Sequence, residues 1–162
     1  MRDNPARFRM AIAVLALVAG LVALYLHLWK LGAVGPLACT GGGGCMVAQM
    51  SQYGWFPGPD VPLLGRDGWR GVDVALIGTV GYALLTLVAA LGTLPRFADS
   101  RWVTGLLLAG TVAAVLFTWR LKYGEWVVLR VFCIWCFESF VTIHACLLLA
   151  LLDRRRLGRA PG

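Results

Sequence analysis

A chain of 162 residues of which 59% are hydrophobic and 14% charged has too little polar surface to cover a water-soluble core. Its length suits a single domain spanning 1–162. The formal net charge of +7 does not describe a nucleic-acid binder, because the basic residues gather at the ends of apolar runs without a basic motif or aromatic platform.

In chain order, the first apolar run covers 10–29, with His27 near its far end as the only group that ordinarily titrates near neutral pH. It is longer than a usual signal core, and no small-x-small cleavage pattern follows it directly, so it is read as a span. The second run, 74–94, and the third, 102–119, carry no charge, and the third is the shortest. The fourth, 127–152, is interrupted by Arg130, Glu138 and His144. Roughly 20 apolar residues in a helix cross the hydrocarbon core. Helix is required because backbone groups in lipid find no water, and short alternating segments are too few for a barrel. The expected fold is an all-α integral membrane bundle of four helices.

Lys and Arg in the flanks orient the bundle. Arg2, Arg7, Arg9, Arg96, Arg101, Arg154, Arg155, Arg156 and Arg159 lie on one side; Lys30, Arg66, Arg70, Arg120, Lys122 and Arg130 lie on the other. The richer side is expected to be cytoplasmic, with both termini. Trp29, Trp119 and Trp126 then fall at the outer interface and Trp102 at the inner one, where amphipathic rings prefer to sit.

The outer segment 30–73 is more than a linker. It holds the glycines 41–44 between two cysteines, a mixed apolar run at 46–56, and then Pro57, Pro59 and Pro62. This order reads as a flexible cysteine loop, a short interfacial helix over 46–56 and an extended return.

Five cysteines carry the candidate chemistry. Cys39 and Cys45 flank the glycine run, and Cys133 and Cys136 form a C-I-W-C motif at the start of the fourth span. All four fall on the expected outer face, where disulfides persist. Residues three apart share a helix face, and a helix N-terminus favours thiolate, the species that attacks disulfides and electron-poor quinones. The glycines let Cys39 and Cys45 approach to disulfide distance. A structural staple is the bland alternative, although a helical C-x-x-C closes only a minimal loop. The six-residue step from Cys39 to Cys45 is not a usual zinc spacing, so no metal is expected. Cys146 lies about 15 Å along the helix from Cys136 and reads as a small packing residue.

The remaining polar groups read as follows. His144 fits a histidine hydrogen-bonded to a neighbouring helix. Glu138 should face the bundle interior or a polar cavity, away from the Cys136 sulfur. Asp73, at the mouth of the second span, is either solvated or, if protonated, a partner for a quinone carbonyl, and solvation is the simpler reading.

The ordered set resembles the vitamin K epoxide reductase family in its bacterial stand-alone type. It consists of C-T-G-G-G-G-C at Cys39 to Cys45, Ser51 six residues on, G-W-F-P-G-P-D-V-P-L-L-G ending at Gly65, and C-I-W-C opening the last of four spans. The resemblance covers roughly 10–152. It implies a four-helix bundle around a quinone (ubiquinone or menaquinone) capped by the outer loop, in the cell inner membrane. It also implies electrons arriving from a separate DsbA-type thioredoxin-like protein, passing from Cys39 and Cys45 to Cys133 and then Cys136. Ser51 and Phe56 would help cap the quinone, with Asp73 and Phe140 nearby. Phe140 stands where animal members carry a tyrosine. The DsbB type does the same job with the motif order reversed. A disulfide-stapled membrane protein without redox turnover is the alternative function.

Overall fold

A computed structural model describes residues 6–39, 43–57 and 71–159. Pro59, Pro62, Gly65, most of the extended return, Thr40, and Gly41 and Gly42 of the glycine run lie outside the described residues, as do Arg2, Arg66 and Arg70. Four helices are long and apolar enough to cross a membrane. They comprise α1 (Ala6–Lys30), α3 (Val74–Leu91), α4 (Arg101–Tyr123) and α5 (Ile134–Arg159). Between α1 and α3 come α2 (Gly44–Met50), a 3-10 turn (Gln52–Gly54) and two short antiparallel strands, β1 (Trp55–Phe56) and β2 (Val72–Asp73). The chain is thus a multi-pass membrane protein with an all-α four-helix bundle, as its composition requires.

The helices pack through small residues. Ala16, Ala19, Ala89 and Ala150 are fully buried among Ile12, Val103, Leu107 and Ile143. Lipid offers no hydrophobic drive between helices, so close backbone approach and dispersion must hold them. Leu17, Leu21, Leu84, Leu87, Leu116 and Leu148 point outward, each more than half exposed, and supply the lipid-facing surface.

Several boundaries differ from the sequence expectation. The third span is not the shortest. Its helix continues from Tyr123 through a π-helical turn, Gly124–Leu129, so residues 127–129 close that span rather than open the fourth. The chain reverses at Arg130, in the left-handed region with φ 53°, and α5 starts only at Ile134. Hydropathy could not place this break, because the run from Trp126 to Phe132 is apolar except for Arg130. Distant packing marks the π-helical turn itself: a Cβ on Gly124 would overlap the Tyr53 ring. The second span ends at Leu91 rather than 94. The expected interfacial helix is shorter, starts at Gly44 and contains Cys45, so this cysteine belongs to a helix and not to a flexible loop.

Charge is buried at both ends of the bundle. Arg9, counted above among flanking charges, is wholly buried. Its Nε donates to Asp153 Oδ2 at 2.9 Å, and its other nitrogens donate to the carbonyls of Gly92, Phe97 and Ser100 and to Thr104 Oγ1. At the opposite end, where the cysteines lie, Asp73 is 6% exposed, which corrects the expectation of a solvated carboxylate. His27 and Lys30, three residues apart on one face of α1, reach its two oxygens at 2.6 and 2.5 Å. The same carboxylate accepts the Ala75 N–H and so caps α3.

Candidate redox site

The four cysteines singled out from the sequence meet at one end of the bundle. Cys39 and Cys45 form a disulfide with their α-carbons 6.0 Å apart, while Cys133 and Cys136 are free thiols. Cys45 and Cys133 are both fully buried and share one cluster with Ala48, against which Cys39, Trp135 and Cys136 pack. The approach depends on Gly44: a Cβ there would lie 2.5 Å from the Phe132 carbonyl oxygen, leaving no room for a side chain. α2 therefore rests its first turn directly on the backbone that precedes Cys133.

The cysteine loop is also held from its other side. Ala38 donates its N–H to the Tyr25 hydroxyl at 3.3 Å and accepts from Trp135 Nε1 at 2.7 Å. The Tyr25 and Trp135 rings lie 5.8 Å apart. One of the two residues between the C-x-x-C cysteines thus clasps the segment that carries Cys39.

Cys133 sits just ahead of α5 and caps it. Its Sγ accepts the Cys136 N–H at 3.3 Å, and its carbonyl accepts the Phe137 N–H at 2.9 Å. The hydrogen bond from the Cys136 thiol holds the Cys133 thiol below the ordinary thiol range; burial opposes this, and the Cys136 N–H reinforces it. The Cys133 N–H donates to Glu125 Oε1 at 2.8 Å, and the other Glu125 oxygen receives Lys122 Nζ at 2.7 Å. Gln49 Nε2 donates to Cys136 Sγ at 3.5 Å.

A cavity of about 580 Å³ opens beside Cys136 between α1, α3, α4 and α5. Its wall is mostly apolar, and its polar residues are Gln49, Tyr82, Thr118, Lys122 and Ser139 besides Cys136 itself. This size lies within the roughly 300–1,000 Å³ of small-molecule sites, and an apolar wall with a few placed polar groups is their usual make-up. The residues present therefore fit an apolar ring compound bearing acceptor oxygens.

The residues expected to contact a quinone, Ser51, Phe56, Asp73 and Phe140, do not line this cavity. Ser51 Oγ donates to the Ala48 carbonyl at 2.8 Å and accepts the Tyr53 N–H, which caps the 3-10 turn. Phe56 lies edge-on to Phe117, a cavity residue, with the Arg120 guanidinium over its ring. Asp73 is taken up by His27 and Lys30. Phe140 packs against Trp119, Trp126 and His144. Gln49, Tyr82, Lys122 and Ser139 are cavity residues that the sequence reading did not single out. Tyr82, the lone tyrosine in the uncharged second run, was the one with a visible signal.

The other polar groups resolve simply. His144 accepts from Trp119 Nε1 on the neighbouring α4 at 3.2 Å and bonds the Phe140 carbonyl through Nδ1, as expected of a structural histidine. Cys146 is fully buried in the main core. Glu138 accepts from Thr142 Oγ1, and its second oxygen is buried without a partner among the described residues.

Four membrane-crossing helices with two cysteine pairs packed against each other, one a disulfide and one a dithiol, define a membrane disulfide oxidoreductase. The sequence model of the vitamin K epoxide reductase family matches residues 10–151. The chain belongs to that family, whose members use quinones and generally work with thioredoxin-like partners.

Proposed function

We propose that this protein oxidises a DsbA-type thioredoxin-like protein and delivers the electrons to a membrane quinone, in support of disulfide formation outside the cytoplasm. The observation that carries this reading is the division of labour within the C-x-x-C pair. Cys133 packs against Cys45 of the loop, whereas Cys136 lines the cavity.

The exchange runs in balanced steps. One thiolate of the partner's dithiol attacks Cys39, forming a mixed disulfide and releasing Cys45 as thiolate. The partner's second thiolate resolves that bond and leaves as the partner disulfide. Cys45 then attacks Cys133 of an oxidised C-x-x-C pair, and the electron pair of the broken bond leaves on Cys136. Cys39 resolves the Cys45–Cys133 bond, which restores the loop disulfide and leaves Cys133 and Cys136 as a dithiol. That is the redox arrangement present in the structure. Each step is thiol–disulfide exchange and needs only access and a thiolate.

The cavity residues Gln49, Tyr82, Lys122 and Ser139 would hold the polar part of a quinone beside Cys136. When bound, the quinone supplies a two-electron, two-proton acceptor that returns the C-x-x-C pair to a disulfide. Ser51 and Phe56 would act from the capping segment, Phe56 through Phe117. The cysteine end faces away from the cytoplasm and both termini face into it, in keeping with the arginine excess on the Arg9 side.

The test uses purified protein in lipid nanodiscs, a reduced thioredoxin-like protein and a soluble ubiquinone or menaquinone analogue, followed by quinone absorbance. One quinone should be reduced for each partner dithiol oxidised. Partner oxidation without quinone loss, or neither, would reject the reading. Sidedness is tested separately: an impermeant thiol reagent on intact reduced cells should label Cys39, the more accessible sulfur of the loop pair, and labelling of Cys39 only after lysis would reverse the orientation.

A further inference from the structure

Among the described residues, Lys122 and Glu125 form the one ion pair that touches both the cysteines and the cavity. Their side chains are 1% and 4% exposed, and Lys122 lines the cavity beside Cys136. Such a pair is a poor stabiliser, since desolvating two charges costs several kcal/mol and apolar residues of the same volume often do as well. Its geometry suggests another use. Glu125 sits in the π-helical turn, a feature that often marks functional sites, and each of its oxygens has one bond. One accepts Lys122 Nζ. The other accepts the Cys133 N–H, a donor at the start of α5 that has no partner within the helix. Lys122 Nζ also lies 5.1 Å from the Trp126 ring centre and 5.8 Å from that of Phe137, so its surroundings beyond Glu125 include aromatic faces.

We propose that Lys122 and Glu125 are positioning residues acting as one electrostatic unit. Glu125 anchors the backbone of Cys133, and Lys122 supplies the positive charge met by negative sulfur in the C-x-x-C pair. In the exchange step, the Cys45–Cys133 bond forms as the Cys133–Cys136 bond breaks, and the electron pair leaves on Cys136. Lys122 transfers no proton in that step and emerges unchanged; its charge favours the departing thiolate in a buried setting where charge is weakly screened. Glu125 keeps that charge in place and, being negative itself, works against the thiolate when left alone. The cavity-facing side of the idea rests on the proposed quinone function, whereas the cysteine-facing side stands without it.

The experiment reads Cys133 alone. A full-length protein carrying Cys136→Ser and Cys146→Ala, with the Cys39–Cys45 disulfide intact, has Cys133 as its sole free thiol. Thiolate ultraviolet absorbance is followed against pH in nanodiscs. The groups bearing on Cys133 are then Lys122, Glu125, the residue-136 backbone N–H and the residue-136 hydroxyl. Lys122→Met should raise the ionisation midpoint and Glu125→Gln should lower it, each by roughly half a pH unit or more, the scale of one partly screened charge. Lys122→Arg should restore the parent midpoint, and the double variant Lys122→Met/Glu125→Gln should fall between the single ones. A merely structural pair would shift melting temperature without shifts of opposite sign. If Lys122→Met does not fold, Glu125→Gln and Lys122→Arg decide the matter: an unmoved Glu125→Gln midpoint overturns the proposal. Neither quinone nor partner enters the measurement, so its failure is distinct from failure of the proposed function.

Discussion

At the Arg9 end of the bundle, all five guanidinium donors of one arginine are engaged, and they tie α1 to α5 and to the α3–α4 connection. At the cysteine end, charge is buried as well but divided. Lys30 and His27 hold Asp73 at the root of α3, while Lys122 and Glu125 stand against Cys133 and the cavity. With its guanidinium fully engaged, Arg9 holds helices together, while Asp153 Oδ1 makes no hydrogen bond and has Arg156 Nε at 3.7 Å. Lys122 and Gln49, by contrast, face a cavity that also exposes a thiol. The contrast separates two kinds of buried charge: a tether at one end, and a charge beside reacting sulfur at the other.

The largest effect should come from the cysteine end, with no loss of fold. Cys136→Ser should stop quinone reduction altogether, because no sulfur remains beside the cavity, and should leave the Cys39–Cys45 bond in place with Cys133 as a free thiol. Cys133→Ser should also stop turnover, because Cys45 then finds no disulfide to attack, but should keep a free Cys136 thiol beside the cavity. Quinone absorbance and non-reducing peptide mapping report both, and a Cys136→Ser protein that still reduces quinone would end the division of roles within the pair.

The Arg9 end should show the reverse pattern. Arg9→Met removes the closest counter-charge of the buried Asp153 carboxylate, leaving it Thr104 Oγ1 and the more distant Arg156, and is expected to cost about 3–5 kcal/mol, the usual result of removing one partner of a buried pair. Adding Asp153→Leu should recover at least half of the loss. Denaturant unfolding in micelles measures stability, and activity per folded molecule should stay within about twofold, as expected of a site acting only through stability. A collapse of activity in folded Arg9→Met protein would erase the distinction between the ends.

Gly44→Ala sharpens the comparison within the cysteine end. The new methyl must push α2 off the Phe132 carbonyl, at roughly 1–3 kcal/mol for overpacking. Transfer from the loop pair to Cys133 should slow about tenfold, the scale of a modest misplacement of reacting atoms. Reduction of the C-x-x-C pair by dithiothreitol, which bypasses the loop, should be spared. Equal slowing by both routes would mean that Gly44 serves the fold and not the meeting of the two pairs.

Cys146→Ala should have the smallest effect. This thiol is buried in the main core, away from the paired cysteines, so a loss of about 1 kcal/mol or less and near-normal turnover are expected. Strong loss of turnover would require a third participating sulfur.

The features legible in the sequence were those written in neighbouring residues. Apolar length announces a membrane helix within a single segment, because lipid leaves the backbone no other partner. The C-x-x-C spacing brings two thiols to the start of one helix without reference to the rest of the fold, although Cys133 proved to lie just ahead of that helix and not on its face. Hence the four spans, the short helix after the glycine run and the packing role of Cys146 could be read directly. The tertiary structure decided everything that joins distant segments. Arg9 finds Asp153 across 144 positions, and Lys30 finds Asp73 across 43. The third span runs on to Leu129, Gly124 leaves room for the Tyr53 ring from a distant segment, and the cavity wall is assembled from four helices. A flanking arginine and a buried one look alike in a sequence. They differ only in whether the folded chain brings enough acceptors to replace water, which is why the cysteines could be located from their spacing and the charges around them could not.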